Sequence, residues 1–269
     1  MAAVSQICAF PGNQDLYGAG IRIGLYLQWI ATLLVTIFDQ KEEQTLRVVN
    51  LLVQSAIFLG LCIIPSPQIH PIEPVITLWL LVGALSSLTG DGLSYFAHFS
   101  GAFRVAFYTA LSTYSCWFWF VGIESMLQPE CKVVAFFGGT AIDGRFRTFS
   151  KVVSVGSLAV CVCCFGFVFW AMLQRCKNTK GIHERIGSPA PRVELSLLFL
   201  SLGLIVVSIV AIEYLIKANS ISGTNEVESV GQLIPLLVGA LGCGMICWRI
   251  LKKFLFRRKR CWFLFGYHL

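Results

Sequence analysis

Seven stretches of this 269-residue chain are too apolar, and too evenly long, for an ordinary soluble domain. They cover residues 19–38, 47–65, 74–90, 104–123, 152–173, 195–216 and 231–251. A helix that crosses the hydrocarbon core, about 30 Å thick, needs roughly 17–25 mostly apolar residues. Each stretch comes close to that length. Only 13% of the residues are charged, about half the share in soluble proteins, and they collect between the stretches. The pattern predicts an all-α fold: a polytopic transmembrane bundle of seven spans. Residues 1–252 form one transmembrane domain and 253–269 a basic, aromatic tail. The third stretch is the thinnest. It opens on Glu73 and Pro74, where a first-turn proline is tolerated, and it ends among Ser86, Ser87 and Thr89. Without it, six spans would bring both termini to one side.

Orientation follows from the cations, which favour the cytosolic side of a membrane. With the C-terminus cytosolic, 15 of the 21 Lys and Arg residues face the cytosol. The reading is therefore N-terminus non-cytosolic and C-terminus cytosolic. The N-terminal residues lack a basic region followed by an apolar one, so no cleaved signal peptide is expected. In the tail, Arg257-Arg258-Lys259-Arg260 alternates with Trp262, Phe263, Phe265 and Tyr267. Basic and aromatic residues together suit anionic lipid headgroups. The partners expected are the bilayer and those headgroups, with no nucleic acid.

The first span opens on Asp15-Leu16-Tyr17-Gly18-Ala19-Gly20-Ile21-Arg22-Ile23-Gly24-Leu25-Tyr26-Leu27-Gln28-Trp29, the densest mixture of polar and apolar residues in the chain. Asp15 suits a helix cap, Gly18 and Gly20 allow close approach, and Arg22 can reach a glutamate or the headgroups. Residues 125–151 form the longest non-cytosolic loop. Its aromatic residues predict a partial cap over the bundle.

Ionisable residues within or beside a span are costly and point to function. Glu124 closes the fourth span and Glu213 lies near the end of the sixth. Both reach the end of the bundle that holds Asp15, Tyr17 and Arg22. One reading makes them interfacial residues, or structural ties to Arg22 or Lys217. The other places them in a polar-floored pocket, where burial raises their carboxyl pKa. Gln28 and Gln54 read as interhelical hydrogen-bonding groups. Ser112, Thr113, Tyr114 and Ser115 predict that the fourth span lines the interior.

Most of the 11 cysteines lie inside spans and read as small packing residues. Cys8 and Cys131 fall outside the spans on the non-cytosolic side and are candidates for a disulfide. Cys161, Cys163 and Cys164 have metal-like spacing, but the four histidines are scattered, so no metal site is expected. No phosphate-binding loop, dinucleotide fingerprint or Ser/His/Asp set is present, and no cofactor is expected.

The entrance stretch, with the aromatic fourth span and Gly144-Arg145-Phe146-Arg147-Thr148-Phe149, resembles a group of fungal multi-pass membrane proteins over residues 12–152. In size and span count the chain is also similar to the fungal membrane-bound terpene cyclases of the ascochlorin type. That likeness implies cyclisation of an isoprenoid substrate in secondary metabolism; the endoplasmic reticulum and the plasma membrane both suit such a chain. Such chemistry needs a protonated acid, aromatic walls for a carbocation and a water-poor site. Glu124 or Glu213 would be the catalytic acid. Tyr114, Trp117 and Trp119, with Arg22 and Arg147, would meet the substrate. The alternative class is non-catalytic: a transporter, receptor-like or scaffold membrane protein.

Overall fold

The computed structural model describes residues 9–38, 43–65, 68–88, 99–126, 131–177 and 195–265. Their order is β1 (Phe10–Pro11), α1 (Gln14–Tyr17), α2 (Ala19–Phe38), α3 (Glu43–Ile63), α4 (Ile72–Val82), α5 (Phe99–Trp117), α6 (Ile123–Met126), β2 (Val134–Phe136), β3 (Thr140–Ala141), α7 (Arg145–Lys177), α8 (Leu195–Ala218), β4 (Ile221–Ser222) and α9 (Val230–Phe265). Each apolar stretch has become one helical rod. Among the described residues, five stretches, Gln14–Phe38, Gln44–Ile63, Arg145–Trp170, Leu198–Ala218 and Val230–Leu255, are long and apolar enough to cross a membrane. Helices of this length and composition are compatible with a multi-pass integral membrane protein. The apolar part of the third rod is shorter, Ile72–Leu85. The α5 sequence is diluted by Arg104, Ser112, Thr113 and Ser115.

The third rod changes character where the sequence thins. α4 gives way to a 3-10 segment, Gly83–Leu88. A side chain at Gly83 would strike the Trp29 ring.

The tightest crossing joins α2 to α9. A Cβ at Gly24 would strike the backbone of Pro235, and one at Gly239 would strike the backbone of Gly24. Small residues let helix backbones touch where lipid supplies no hydrophobic drive. Pro235 lies inside α9 and interrupts its hydrogen-bond ladder.

Successive rods run in opposite directions, so one end of the bundle collects α1, both short sheets and the starts of α2, α4, α7 and α9. β1 pairs in parallel with β4, Phe10 opposite Ile221, while β2 and β3 form an antiparallel hairpin. Asn219 fastens that hairpin to α8. Its Oδ1 accepts from Val134 N at 2.9 Å and its Nδ2 donates to Val134 O at 2.8 Å, so one amide acts as a strand partner. The hairpin is the ordered cap expected of the long loop, but the loop is shorter than residues 125–151, because α7 already begins at Arg145.

At the opposite end α9 continues unbroken to Phe265, through the expected boundary at 252–253. Its 36 residues span about 54 Å at 1.5 Å per residue. α7 is the outermost rod. It packs on α5 and leaves Val152, Val162 and Phe169 more than half exposed, as a lipid-facing helix would.

Candidate functional site

Arg22 enters the core one turn into α2 and is 4% exposed. Its Nη1 donates to Glu213 Oε2 at 2.6 Å, and its Nη2 donates to Thr224 O and Asn225 Oδ1 at 3.1 and 2.9 Å. The hydroxyl of Tyr26, one turn further on, donates to the other oxygen of Glu213 at 3.0 Å. Both oxygens of Glu213 are thus held by donors, and its side chain is 48% exposed. The counter-charge expected for Arg22 is present. The pair ties α2 to α8 and to the turn before α9.

Glu124 lies in a second pair. The rod of α5 widens into a π-helical turn at Phe118–Gly122 before α6. Such a turn leaves carbonyls out of register. Arg147, in the first turn of α7, donates from Nε to Trp119 O at 3.2 Å and from Nη2 to Glu124 Oε1 at 2.8 Å. The Glu124 side chain is 68% exposed. Hydrogen bonding from Arg147, then its charge, holds the carboxyl below its ordinary range. The expectation that burial raises this pKa is overturned: the group is solvated and paired with a cation.

An aromatic chain runs between the two pairs. Trp119 meets Phe146, Phe146 stacks on Phe136, Phe136 meets Phe137, and Phe137 meets Tyr214, with centroids 5.1–5.7 Å apart. The hairpin seals the end of the bundle with packed rings. The three aromatic residues offered as ring faces, which one helix cannot turn to a single pocket, separate in part: Tyr114 and Trp117 meet at 5.4 Å, and Trp119 turns away. Trp119 is buried, Trp117 is exposed, and Tyr114 packs edge-on against Phe58.

The most buried carboxyl among the described residues escaped the sequence reading. Glu73, 4% exposed, accepts from Asn13 N and the Tyr17 hydroxyl at 2.8 Å each and from His70 N at 2.9 Å. It pins the N-terminal segment to α4. Beside it the His70 ring stacks on Phe10 at 3.9 Å, and burial lowers the imidazole pKa to about 4. The only sequence signal was an acid directly before Pro74, which also reads as an ordinary helix start. Gln28 is buried as well, but its amide makes no hydrogen bond among the described residues. The interhelical bond expected of it comes from Asn50, whose Nδ2 donates to Thr32 Oγ1 at 2.7 Å.

A cavity lies elsewhere, between α5, α7 and the third rod, with a volume of about 650 Å³. Ligand sites typically occupy about 300–1,000 Å³. Its α5 wall is one helical stripe that includes Gly101, Arg104, Tyr108, Ser112 and Ser115. The α7 wall repeats the same spacing through Ser154, Ser157, Cys161 and Cys164. Ser115 and Ser154 share a hydrogen bond at 2.7 Å, and Ser112 lies 3.7 Å from Cys161. Val153 and Val160 also line the cavity and are 48% and 63% exposed, so it opens sideways, where lipid would lie. As expected, the fourth span faces an interior surface, through Ser112 and Ser115. None of Arg22, Tyr114, Trp117, Trp119, Glu124, Arg147 and Glu213 lines this cavity, and no acidic side chain does among the described residues.

Cys131 forms a disulfide, whereas Cys62, Cys116, Cys161, Cys163, Cys164, Cys243 and Cys247 are free. Cys8, its expected partner, lies outside the described residues. Comparison with protein-family models, curated proteins and solved structures finds no match to this chain.

Proposed function

We propose that this chain is a non-catalytic integral membrane protein that holds one chain-like apolar molecule in the lateral α5–α7 cavity. The observation that carries the reading is the cavity's lining: two matched helical stripes, apolar with interspersed serines, facing outward and free of carboxylates among the described residues. A cyclase working there would need a proton donor in contact with its substrate. The two candidate acids are instead held by arginines at the capped end of the bundle. A terpene cyclase acting through Glu124 or Glu213 is therefore the weaker reading, although an isoprenoid chain remains a suitable occupant.

The proposal includes seven spans, with the N-terminus non-cytosolic and the C-terminus cytosolic. The alternating rods and the bias of 15 cations in 21 support it. It also pairs Cys131 with Cys8. In a Cys8→Ser variant, Cys131 would become open to maleimide; a Cys131 that stays blocked would assign the bond to another cysteine.

The test of function is photolabelling in vesicles with an alkyl diazirine. Adducts concentrated on Tyr108, Ser112, Ser157 and Cys161, and competed by unlabelled long-chain compounds, are expected. Uniform labelling of every exposed face of α7 would mean ordinary annular lipid and would end the proposal. Turnover of a farnesylated substrate that is lost in Glu124→Gln or Glu213→Gln would restore the cyclase.

A further inference from the structure

The α7 wall of the cavity continues past it toward the capped end of the bundle. Arg147, Lys151, Ser154, Ser157, Cys161 and Cys164 follow one another at steps of three or four residues, so they share one face of the helix. The last four line the cavity. From Ser154 to Cys164 that wall runs about 15 Å at 1.5 Å per residue. This is the depth of one leaflet, half of a core about 30 Å thick. Lys151 stands one turn before Ser154 and directly before Val152, where the apolar stretch of 152–173 begins. It therefore lies at the edge of the hydrocarbon, the depth of headgroup phosphates.

The surroundings of Lys151 fit that depth. Its Nζ lies 4.8 Å from the centre of the Phe120 ring. Phe120, Trp117 and Phe149 are exposed, and exposed rings beside cations mark the boundary between lipid and water. Glu124 feels the charge of Lys151, but its carboxylate is engaged by Arg147 at 2.8 Å. One carboxylate thus stands between two cations, which leaves a positive balance at the mouth of the cavity. Just inside, the hydroxyls of Ser115 and Ser154 satisfy each other at 2.7 Å. That end of the cavity takes a chain and leaves the head outside, beside Lys151.

We infer that the occupant is a glycerophospholipid of the leaflet at the capped end, with one acyl chain between α5 and α7 and its phosphodiester at Lys151. This rests on the cavity reading above and names the molecule held. A phosphodiester carries one negative charge, which offsets the surplus cation. A lysine ammonium binds phosphate as a point charge on a flexible stem, which suits a headgroup that stays wet. A neutral diacylglycerol could place the same chain but would give Lys151 nothing to hold. In the proposed orientation this is the non-cytosolic leaflet.

The test uses the full chain in detergent and native mass spectrometry, with dioleoyl phosphatidylcholine, dioleoyl phosphatidylglycerol and dioleoylglycerol at equal concentration. Each phospholipid is expected to bind once per chain and about fivefold tighter than dioleoylglycerol, the equivalent of about 1 kcal/mol for one cation near a membrane surface. Equal binding of all three would overturn the phosphate assignment and leave the cavity reading standing. Retention of phosphatidylglycerol alone would mean attraction to net charge and would also overturn it. Binding of none would remove the cavity reading itself.

Variants locate the contact, with a melt as control. Lys151→Gln should lose the phospholipid advantage and Lys151→Arg should keep it; an advantage that survives in Lys151→Gln would overturn the inference. Lys132→Gln removes an exposed cation off the α7 stripe and should bind as the native chain does. A matching loss there would mean general surface attraction and would overturn the site. On the native protein, a phosphatidylcholine with a diazirine at the end of its acyl chain should label Tyr108, Cys161 or Cys164. Labelling at Phe120 or Lys151 instead would reverse the orientation and overturn the inference.

Discussion

Two arginine–glutamate pairs look alike in sequence and differ in what surrounds them. Arg22 is buried and depends on a half-exposed Glu213, whereas Arg147 and Glu124 meet at the surface. Removing one partner of a buried pair strands the other, and solvent discounts the loss where a partner is exposed. Glu213→Gln is expected to destabilise the fold by about 1–3 kcal/mol, read as a lower melting temperature in detergent. Glu124→Gln should leave the melt nearly unchanged. Equal losses in the two variants would contradict this account of the capped end. His70 gives the pH dependence. Burial lowers its imidazole pKa to about 4, against an ordinary value near 6.5. The unfolded chain therefore takes up a proton at a higher pH than the fold does. Stability contributed by neutral His70 is present above about pH 6.5 and is lost as pH falls toward 4. Thermal melts across that window should lose part of their slope in His70→Phe; an unchanged slope would place the titration elsewhere. Neither the Glu73 cluster nor the difference between the pairs was legible in the sequence, because burial there is set by contacts some 60 to 200 residues apart.

At the scale of the element, the sequence was most informative where lipid does the selecting. Apolar length alone located the middle of every rod, although α7 begins at Arg145 and α9 runs on to Phe265, and Gly18 and Gly20 announced a close approach. The partner helix could not be read, since glycines say only that something comes near. The structure identifies it as α9, at Pro235 and Gly239. Gly24→Leu would drive a side chain into backbone that has no rotamer to move. Overpacking typically costs about 1–3 kcal/mol, so the variant should melt lower and lose the contact between α2 and α9 in cysteine cross-linking. A melt like that of the native chain would show that the crossing is looser than described. The π-helical turn was not legible either. It follows the aromatic run of α5 and is held by Arg147 from another helix, a tertiary cause with no local signal.

For the whole molecule, the capped end and the open cavity are separate regions. The hairpin, the aromatic chain and the ion pairs seal one end, while the open space lies lower, between α5 and the weakly packed α7. The sequence placed function at the polar mouth because charges near a membrane are conspicuous. It could not show a cavity made from serines, small residues and the gap left by an outer helix. In the proposed orientation a glycosylation sequon inserted at Gly138–Gly139 is modified and an epitope after Leu269 is reached only from the cytosol; the opposite pattern would invert the bundle.

The central claim is that the α5–α7 cavity is a binding site. Gly156 lines it, and a Cβ built there meets nothing within 4 Å. Gly156→Phe can therefore fill the space without disturbing the packed core. The most direct measurement is the dissociation constant of a long-chain ligand for the native and Gly156→Phe proteins, with a melt as control. A loss of affinity of at least about tenfold, 1.4 kcal/mol, at unchanged melting temperature is the expected result. Undiminished binding in the filled variant would contradict the account.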